Sequence, residues 1–238
     1  MKINVFYHCY LINNWREVVT EQFELMHKSG LYDECEQIYA YLIGGDAEIE
    51  EYRQIILNKP KVVVKITTPS NVGEFLNSNG NLEKYNTVYN GIKGASDFSK
   101  TNDSLILYVH TKGTTQSRPQ ETDWRNLLNY FYITRYKDCA TILRSGKYNC
   151  AGINCSKRVS PHFSGNMWWT TSQYARTLRT PPQIFDRFYY EFWIGESPEF
   201  NPFSFHSSHP KSHHSDLYPS HIYMSDAPAD FENNKSLP

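Results

Sequence analysis

Several features that mark common protein classes are missing from this 238-residue sequence. No apolar run approaches the roughly 18 residues that cross a bilayer, and the first residues lack the apolar core of a secretion signal. The 24 basic residues nearly balance 25 acidic ones, which provides no basic field for nucleic acid and no polybasic membrane anchor. These absences predict a cytoplasmic, soluble chain with no transmembrane segment and no nucleic-acid partner.

Familiar catalytic and metal motifs are also missing. The five cysteines form no C-x-x-C pair, which argues against structural zinc, and without a secretion signal we expect them to be reduced and mostly buried. The motifs G-x-G-x-x-G, Walker A, G-x-S-x-G and H-E-x-x-H do not occur. Their absence weakens the dehydrogenase, P-loop NTPase, serine hydrolase and zincin classes. Aromatic residues, by contrast, make up 15% of the chain and supply area for a core.

Strand-like apolar runs alternate with amphipathic helical patterns along the first two thirds of the chain. The predicted strands are 3–10, 37–43, 62–66 and 105–109, and the predicted helices are 15–28, 47–58, 82–93 and 124–143, the longest. Residues 62–66 have no polar face, as expected for a buried parallel strand. The alternation of predicted strands and helices predicts an α/β domain whose parallel sheet is covered by helices.

The regular alternation of strand and helix patterns ends after residue 148. Residues 149–154 and 163–169 are strand-like, a helix is predicted to begin near Thr171, and 185–194 is rich in aromatic residues. The last 43 residues hold six of the twelve prolines and five of the nine histidines. We expect this tail to wrap irregularly on the domain, with its final ten residues as a candidate disordered end.

Candidate ligand-binding residues follow the predicted strands, because ligands bind beyond the carboxyl ends of strands in an open parallel sheet. The strand ends fall at residues 7–10, 44–46, 67–69 and 110–113. The last of these places reads His110, Thr111, Lys112, Gly113. A lysine there can neutralise a phosphate, and the histidine can bond to it or bind a metal. A solvated loop is the alternative for such a short motif.

Two further segments carry candidate residues. Asp123, Trp124 and Arg125 are predicted to open the long helix, where the arginine either pairs with a carboxylate or phosphate or is an ordinary surface residue. Within 162–169, a serine, a glycine and an asparagine precede two tryptophans. Adjacent strand residues point to opposite faces, so one indole is expected in the core and the other in a cleft, stacked on a sugar. Core packing alone is the alternative for both indoles.

A carboxylate and a set of histidines complete the candidates. Glu191 lies among aromatic and apolar neighbours, where desolvation suits a general base, although pairing with an arginine is the alternative. The tail histidines can supply a metal ligand, but a site made of several histidines needs a carboxylate or further order. We expect most of them to be solvated.

Five segments together resemble one family. They are His110-Thr111-Lys112-Gly113, Asp123-Trp124-Arg125, Gly152-Ile153-Asn154, the segment 162–169 that reads H-F-S-G-N-M-W-W, and Glu191-Phe192-Trp193-Ile194. The sequence resembles GT-A-type glycosyltransferases similar to the rhamnan-synthesis F proteins of bacteria and large DNA viruses. The resemblance spans about residues 1–200, and 162–169 is its most specific piece.

The resemblance implies a single GT-A-like domain with a mixed, mostly parallel sheet covered by helices on both faces. Residues 1–200 would form the catalytic domain, with a nucleotide-binding half of about 1–113, an acceptor half of about 114–200, and 201–238 as the tail. The implied activity is sugar transfer from a nucleotide-diphosphate sugar to a glycan hydroxyl in glycan or polysaccharide biosynthesis. Inversion at the anomeric carbon is our hypothesis, with Glu191 as base and Asp123 as its substitute.

The remaining roles follow from the same resemblance. The donor site would comprise Tyr7, His8, Tyr10, His110, Thr111, Lys112, Gly113 and Arg125. The sugar and acceptor site would comprise Ser164, Gly165, Asn166 and Trp168 or Trp169. The family's D-x-D metal motif is missing, so Mn²⁺ or Mg²⁺ is an optional cofactor, with His110 and a tail histidine such as His206 or His209 as its candidate ligands. The alternatives are a non-catalytic nucleotide-sugar or glycan-binding domain and a metal-dependent phosphoesterase.

Overall fold

The computed structural model describes residues 1–66, 85–116, 118–156, 160–183, 187–208 and 212–224. Its strands are β1 (Lys2–Tyr10), β2 (Cys35–Ile43), β3 (Val62–Ile66), β4 (Ser104–His110), β5 (Cys150–Gly152), β6 (Cys155–Ser156), β7 (His162–Phe163), β8 (Trp168–Thr171) and β9 (Pro202–Ser204). Its α-helices are α1 (Trp15–Ser29), α2 (Leu31–Glu34), α3 (Asp46–Ile56), α4 (Tyr85–Ser99), α5 (Pro119–Asn129), α6 (Tyr136–Arg144), α7 (Ser172–Ala175) and α8 (Arg187–Phe192). The expectations for residues 67–69 and for the final ten residues lie outside the described residues.

Within the described residues, the main sheet has seven strands in the order β3-β2-β1-β4-β8-β5-β9. Strand β8 runs antiparallel to both of its neighbours, and every other pairing in this sheet is parallel. Strands β1 and β4 lie side by side at the centre, with His8 in register with His110. The carboxyl ends of these two strands therefore meet at one edge of the sheet.

Two cores cover the two faces of this sheet. Along β1, Val5 and Tyr7 face a core that includes Trp15 and Phe23 of α1, whereas Phe6 faces the other core. The first core also takes side chains from α5 and α6, and the second takes side chains from α4, α7 and α8. Burial on both faces is the environment expected of central parallel strands. The predicted fold class is confirmed: the chain is α/β, with a mixed, mostly parallel sheet and helices on both faces.

Strand β3 and the long helix both differ from their predicted forms. Strand β3 has the predicted bounds, but among the described residues it lies at the edge of the sheet, and its residues are half-buried except for the exposed Lys65. The predicted helix 124–143 begins earlier, where Pro119 occupies the first turn, and is interrupted by a π-helical turn, Tyr130–Thr134. The Tyr132 carbonyl in this turn accepts a hydrogen bond from Trp169 Nε1 at 3.0 Å. The sheet thus supplies a partner for a group inside the interrupted helix.

The segment predicted as one strand at 163–169 forms two strands joined by a turn. The Asn166 N–H donates to the Phe163 carbonyl at 3.2 Å, and Gly165 has φ of 92°. A β-carbon at Gly165 would lie 3.0 Å from Leu128 Cδ1, so both the conformation and the space favour glycine. The turn therefore lies against α5.

The described part of the tail is attached to the sheet and to α5. Strand β9, which lies beyond residue 200, pairs with β5 at the sheet edge. Further along, the Tyr218 N–H donates to Asp123 Oδ2 at 3.0 Å. A short 3-10 turn, Ser220–Ile222, lies close to the end of the described chain. The tail thus returns to the helix that follows β4.

Candidate functional site

A cavity of about 530 Å³ opens beyond the carboxyl ends of β1 and β4. It is lined by His8, Tyr10, Val88, His110, Thr111, Lys112, Gly113, Thr114, Thr115, Gln116, Arg118, Glu121, Trp124, His162, Ser164, Gly165, Asn166, Glu191 and His214. The loop after β4 and the turn between β7 and β8, both singled out from the sequence, therefore contribute to one cavity. The structure brings the two segments together at the sheet edge where ligands bind in open parallel sheets.

Direct contacts fix the loop after β4 to its neighbours. His110 Nε2 lies 2.8 Å from the Gly165 carbonyl oxygen. A carbonyl only accepts, so Nε2 carries a proton and donates it. The Thr111 hydroxyl accepts from the Tyr10 N–H at 3.0 Å, and the Thr111 N–H donates to the His8 carbonyl at 3.0 Å. The cavity floor is thus held to both central strands.

Lys112 is held beside an aromatic ring. Its ammonium nitrogen lies 3.6 Å from the centroid of the Trp124 ring, within the range of a cation–π interaction. Gly113 follows with φ of 86°, a conformation that glycine adopts readily. A β-carbon at Gly113 would lie 3.2 Å from Arg125 Nη1. The close packing of this turn against α5 places the lysine at the cavity wall.

Glu121 is a buried carboxylate of the cavity that the sequence did not indicate. Its side chain accepts from Arg118 Nη2 at 3.1 Å and lies 2.6 Å from His214 Nδ1. Burial acts to raise the pKa of Glu121, but the interactions with His214, Lys112 and Arg118 outweigh burial and hold this pKa below its usual range. The carboxyl is therefore ionised at neutral pH. The groups around it are the cationic side chains of Arg118 and Lys112 and the imidazole of His214.

Glu191 and His162 line the cavity from other elements. Glu191 lies on α8 and is half-buried. Burial, followed by the charge of Glu191, raises the pKa of the Tyr108 hydroxyl. His162 Nδ1 lies 2.8 Å from the Ser160 carbonyl, which orients the imidazole, and the ring meets Phe192 edge-on at 4.9 Å. Of the two carboxylates predicted from the sequence as a base, Glu191 lines the cavity.

Two proposed donor contacts do not line this cavity. Tyr7 is fully buried, and its hydroxyl donates to Gln22 Oε1 at 2.5 Å, because strand alternation directs the side chain toward α1. Arg125 is also buried, and its guanidinium pairs with Glu21 at 3.0 Å. The hypothesis that these two residues bind the donor is corrected accordingly. His8 and Tyr10, the other two residues of the strand end, do line the cavity.

Three further candidates also lie away from the cavity lining. Trp168 and Trp169 point to opposite faces, as predicted, but both are buried in the two cores, since helices cover both faces. Neither indole is therefore placed to stack on a sugar. Asp123 Oδ2 accepts from the Tyr218 N–H, which gives this carboxylate a role in fixing the tail. Ser164, Gly165 and Asn166 do line the cavity.

The metal candidates do not assemble. In the described ranges, no group of three or more His, Cys, Asp or Glu side chains could hold a metal ion. His206 instead lies 2.9 Å from the Tyr218 hydroxyl through Nε2 and stacks on Phe131. His209 is outside the described residues. The described residues around His110 therefore do not include a set of three such side chains that could hold a metal ion.

Residues 6–186 match the model of a family described as a domain of unknown function, DUF8361. This range is well over half of the chain. The chain belongs to this family. The family range includes the second half of β1, all of β4 and the turn between β7 and β8, whereas Glu191 and His214 lie beyond it. No helix in the described ranges of this DUF8361 member has the length and apolar character needed to cross a membrane.

The chain has a remote structural likeness to solved proteins. No curated protein matches the chain. The chain is similar to the crystal structure of a 4-diphosphocytidyl-2C-methyl-D-erythritol synthase, with 9% sequence identity over 93% of this chain and 94% of that one. The TM-score is 0.42. Likeness at this level establishes neither a shared fold nor a shared activity.

Proposed function

We propose that this protein is a glycosyltransferase that moves a sugar from a nucleotide-diphosphate sugar to a hydroxyl of a glycan acceptor. The observation that supports this most is the cavity at the carboxyl ends of β1 and β4, which is lined by Lys112, His110 and Glu191. The reaction needs a cationic site for the leaving diphosphate and a base for the acceptor. The cavity offers side chains for both. The proposal also draws on the sequence resemblance to GT-A-type enzymes.

The donor diphosphate is proposed to bind against the loop after β4. Lys112 is cationic and fixed beside Trp124, and Arg118 lines the same cavity. Together they neutralise the charge that develops on the leaving group. His110, whose Nε2–H is committed to Gly165, shapes this part of the cavity. We therefore assign the diphosphate to cationic side chains, with Arg118 in the place first given to Arg125.

Glu191 is proposed as the general base. Its carboxylate takes the proton from the acceptor hydroxyl as that oxygen attacks the anomeric carbon. The bond from this carbon to the phosphate oxygen breaks, and its electron pair leaves with the nucleoside diphosphate, so that the configuration inverts. Asp123 is less suited to this role because it binds the Tyr218 N–H instead of lining the cavity.

The sugar is proposed to lie between these two groups. Ser164 and Asn166 offer polar groups to its hydroxyls, and Gly165 allows close approach of the backbone. In this arrangement about 1–113 form the nucleotide-binding half, to which Arg118 adds a contact with the diphosphate, about 114–200 form the acceptor half, and 201–238 form the tail. His8 and Tyr10 extend the donor site along the end of β1.

A donor screen tests the proposal. The melting temperature is measured with UDP-, GDP-, TDP- and CDP-sugars, with and without Mn²⁺, since a ligand of the native state stabilises it. The stabilising sugar nucleotide is then incubated with the protein, and release of nucleoside diphosphate is measured. Stabilisation with slow release supports a transferase. Stabilisation without release supports a non-catalytic sugar-nucleotide binder, the alternative that the missing D-x-D motif favours, and no stabilisation by any donor contradicts both.

A further inference from the structure

The cavity contains a carboxylate–imidazole pair that the proposed mechanism does not use. Glu121 Oε1 lies 2.6 Å from His214 Nδ1. The Glu121 side chain is 7% exposed, whereas that of His214 is 54% exposed. The two residues come from α5 and from the tail, 93 positions apart in the chain. The pair thus joins a buried anion to an imidazole that solvent and ligands can reach.

The tail segment that carries His214 is held firmly at this wall. His213 stacks on Trp124 with 5.0 Å between ring centroids, and His214 meets the same ring edge-on at 4.9 Å. The Ser208 hydroxyl lies 2.7 Å from His213 Nε2, and Tyr218 is bonded through its N–H to Asp123. The imidazole of His214 is therefore placed by contacts on both sides of it.

Charge around Glu121 indicates what this wall can bind. Arg118 and His214 contact the carboxylate directly, and the charge of Lys112 also acts on its pKa. With the imidazole protonated, three positive groups and one negative group leave a net charge of two positive units. Such an excess suits a diphosphate, because each hydrogen bond to an ionised group is stronger than a neutral one.

We propose that His214 binds the diphosphate of the donor as an imidazolium, with Glu121 as the residue that positions it. The inference rests on the proposed function and names one more ligand-contacting residue of the same site. Nδ1–H donates to Glu121, so Nε2–H is the donor that remains for a phosphate oxygen. No proton is transferred: the imidazolium stabilises the charge that the diphosphate gains as its bond to the sugar breaks.

The test measures the affinity for inorganic pyrophosphate by calorimetry at pH 6 and pH 8, which needs no knowledge of the base or the sugar. Pyrophosphate itself titrates between these two pH values, so wild type and variants are compared with one another at each pH. His214→Gln is expected to bind about tenfold or more weakly than wild type at pH 6 and to differ little from it at pH 8. His221→Gln, a change at an exposed tail histidine, is the matched control.

Other charged groups near His214 stay the same in this comparison. They are Glu121, Arg118, Lys112, His213 and Asp216, together with the cavity histidines His8, His110 and His162. All are retained in both His214→Gln and wild type, so the difference between the two profiles belongs to His214. In Glu121→Gln the carboxylate no longer fixes the imidazole, so adding His214→Gln in this background is expected to weaken binding at pH 6 by less than it does in wild type.

A variant that binds pyrophosphate more tightly distinguishes direct contact between His214 and the ligand from a structural role of His214. His214→Arg keeps a positive charge at pH 8 and is expected to bind pyrophosphate there more tightly than wild type. Equal affinities of wild type, His214→Gln and His214→Arg at both pH values would overturn the inference while leaving the proposed function in place. Failure of wild type to bind pyrophosphate or any nucleoside diphosphate would instead contradict the proposed function itself.

Discussion

The Lys112 ammonium lies 3.6 Å from the centroid of the buried Trp124 ring. Trp124 belongs to α5, and His213 of the tail stacks on the same indole with 18° between the ring planes. Because packing already fixes the Trp124 ring, the ring loses little conformational freedom when a cation lies against its face. The relationship therefore links the loop after β4, the following helix and the tail at one wall of the cavity.

Replacing Trp124 should weaken donor binding, and the effect should be larger when less of the aromatic ring face remains. A cation–π interaction contributes roughly 0.5–2 kcal/mol, depending on desolvation. We expect Trp124→Phe to raise the KM for the donor slightly and Trp124→Leu to raise it several-fold. The melting temperature of each variant is measured alongside, since loss of buried volume also destabilises the core. Equal KM values for the two variants would show that the ring face does not position Lys112.

Glu191→Gln should abolish transfer and retain donor binding. The amide keeps the size of the side chain but cannot take the acceptor proton. Donor affinity is measured by calorimetry and transfer by release of the nucleoside diphosphate in the presence of acceptor. A variant that transfers at the wild-type rate contradicts the assignment of the base. A variant that unfolds shows that the carboxylate is structural.

Stability should fall as the pH drops through the titration of His213. Burial, then the charge of Lys112, lowers the pKa of His213 to about 4. The unfolded chain takes up this proton near the ordinary value of about 6.5, so between these values the unfolded state binds more protons and is favoured. We expect the melting temperature of His213→Phe to fall less than that of wild type between pH 7 and pH 4.5. An equal fall in both proteins would contradict this.

Gly165→Ala should destabilise the turn that closes the cavity. An alanine there adopts φ of 92° only with strain, and its β-carbon would lie 3.0 Å from Leu128 Cδ1. The conformation alone costs roughly 1–3 kcal/mol, which denaturant unfolding can measure. Gly146→Ala is a suitable comparison, since Gly146 also has positive φ but has no heavy atom within 4 Å of a β-carbon. A cost no larger at Gly165 than at Gly146 would contradict the role of packing against α5.

Local sequence patterns were sufficient to predict much of the fold and the part of the site that follows β4. The alternation of apolar and amphipathic runs located Val62–Ile66 and the other parallel strands, and the strand-end rule then indicated His110 and Lys112. The edge position of β3 was not predictable in this way, because the number of neighbours of a strand depends on pairing and not on its own sequence. The π-helical turn likewise has a hydrogen-bond partner, Trp169, that lies far along the chain.

The remaining errors come from partners that are distant in sequence. Arg125 was assigned to the donor diphosphate, but its guanidinium pairs with the carboxylate of Glu21, 104 positions away. Trp168 and Trp169 were correctly assigned to opposite faces, yet no local signal shows that helices cover both of those faces. Glu121 and His214 were missed for the same reason. Their pairing exists only because the tail returns to α5.

The central claim is that the cavity beyond β1 and β4 holds the diphosphate of a sugar nucleotide against Lys112. The most direct measurement is the rate of nucleoside diphosphate release from the best-stabilising sugar nucleotide by wild type, Lys112→Ala and Lys147→Ala, whose lysine is exposed and absent from the cavity lining. The account predicts a loss on the order of 100-fold for Lys112→Ala and no change for Lys147→Ala. A Lys112→Ala protein that keeps its fold and the wild-type rate would contradict it.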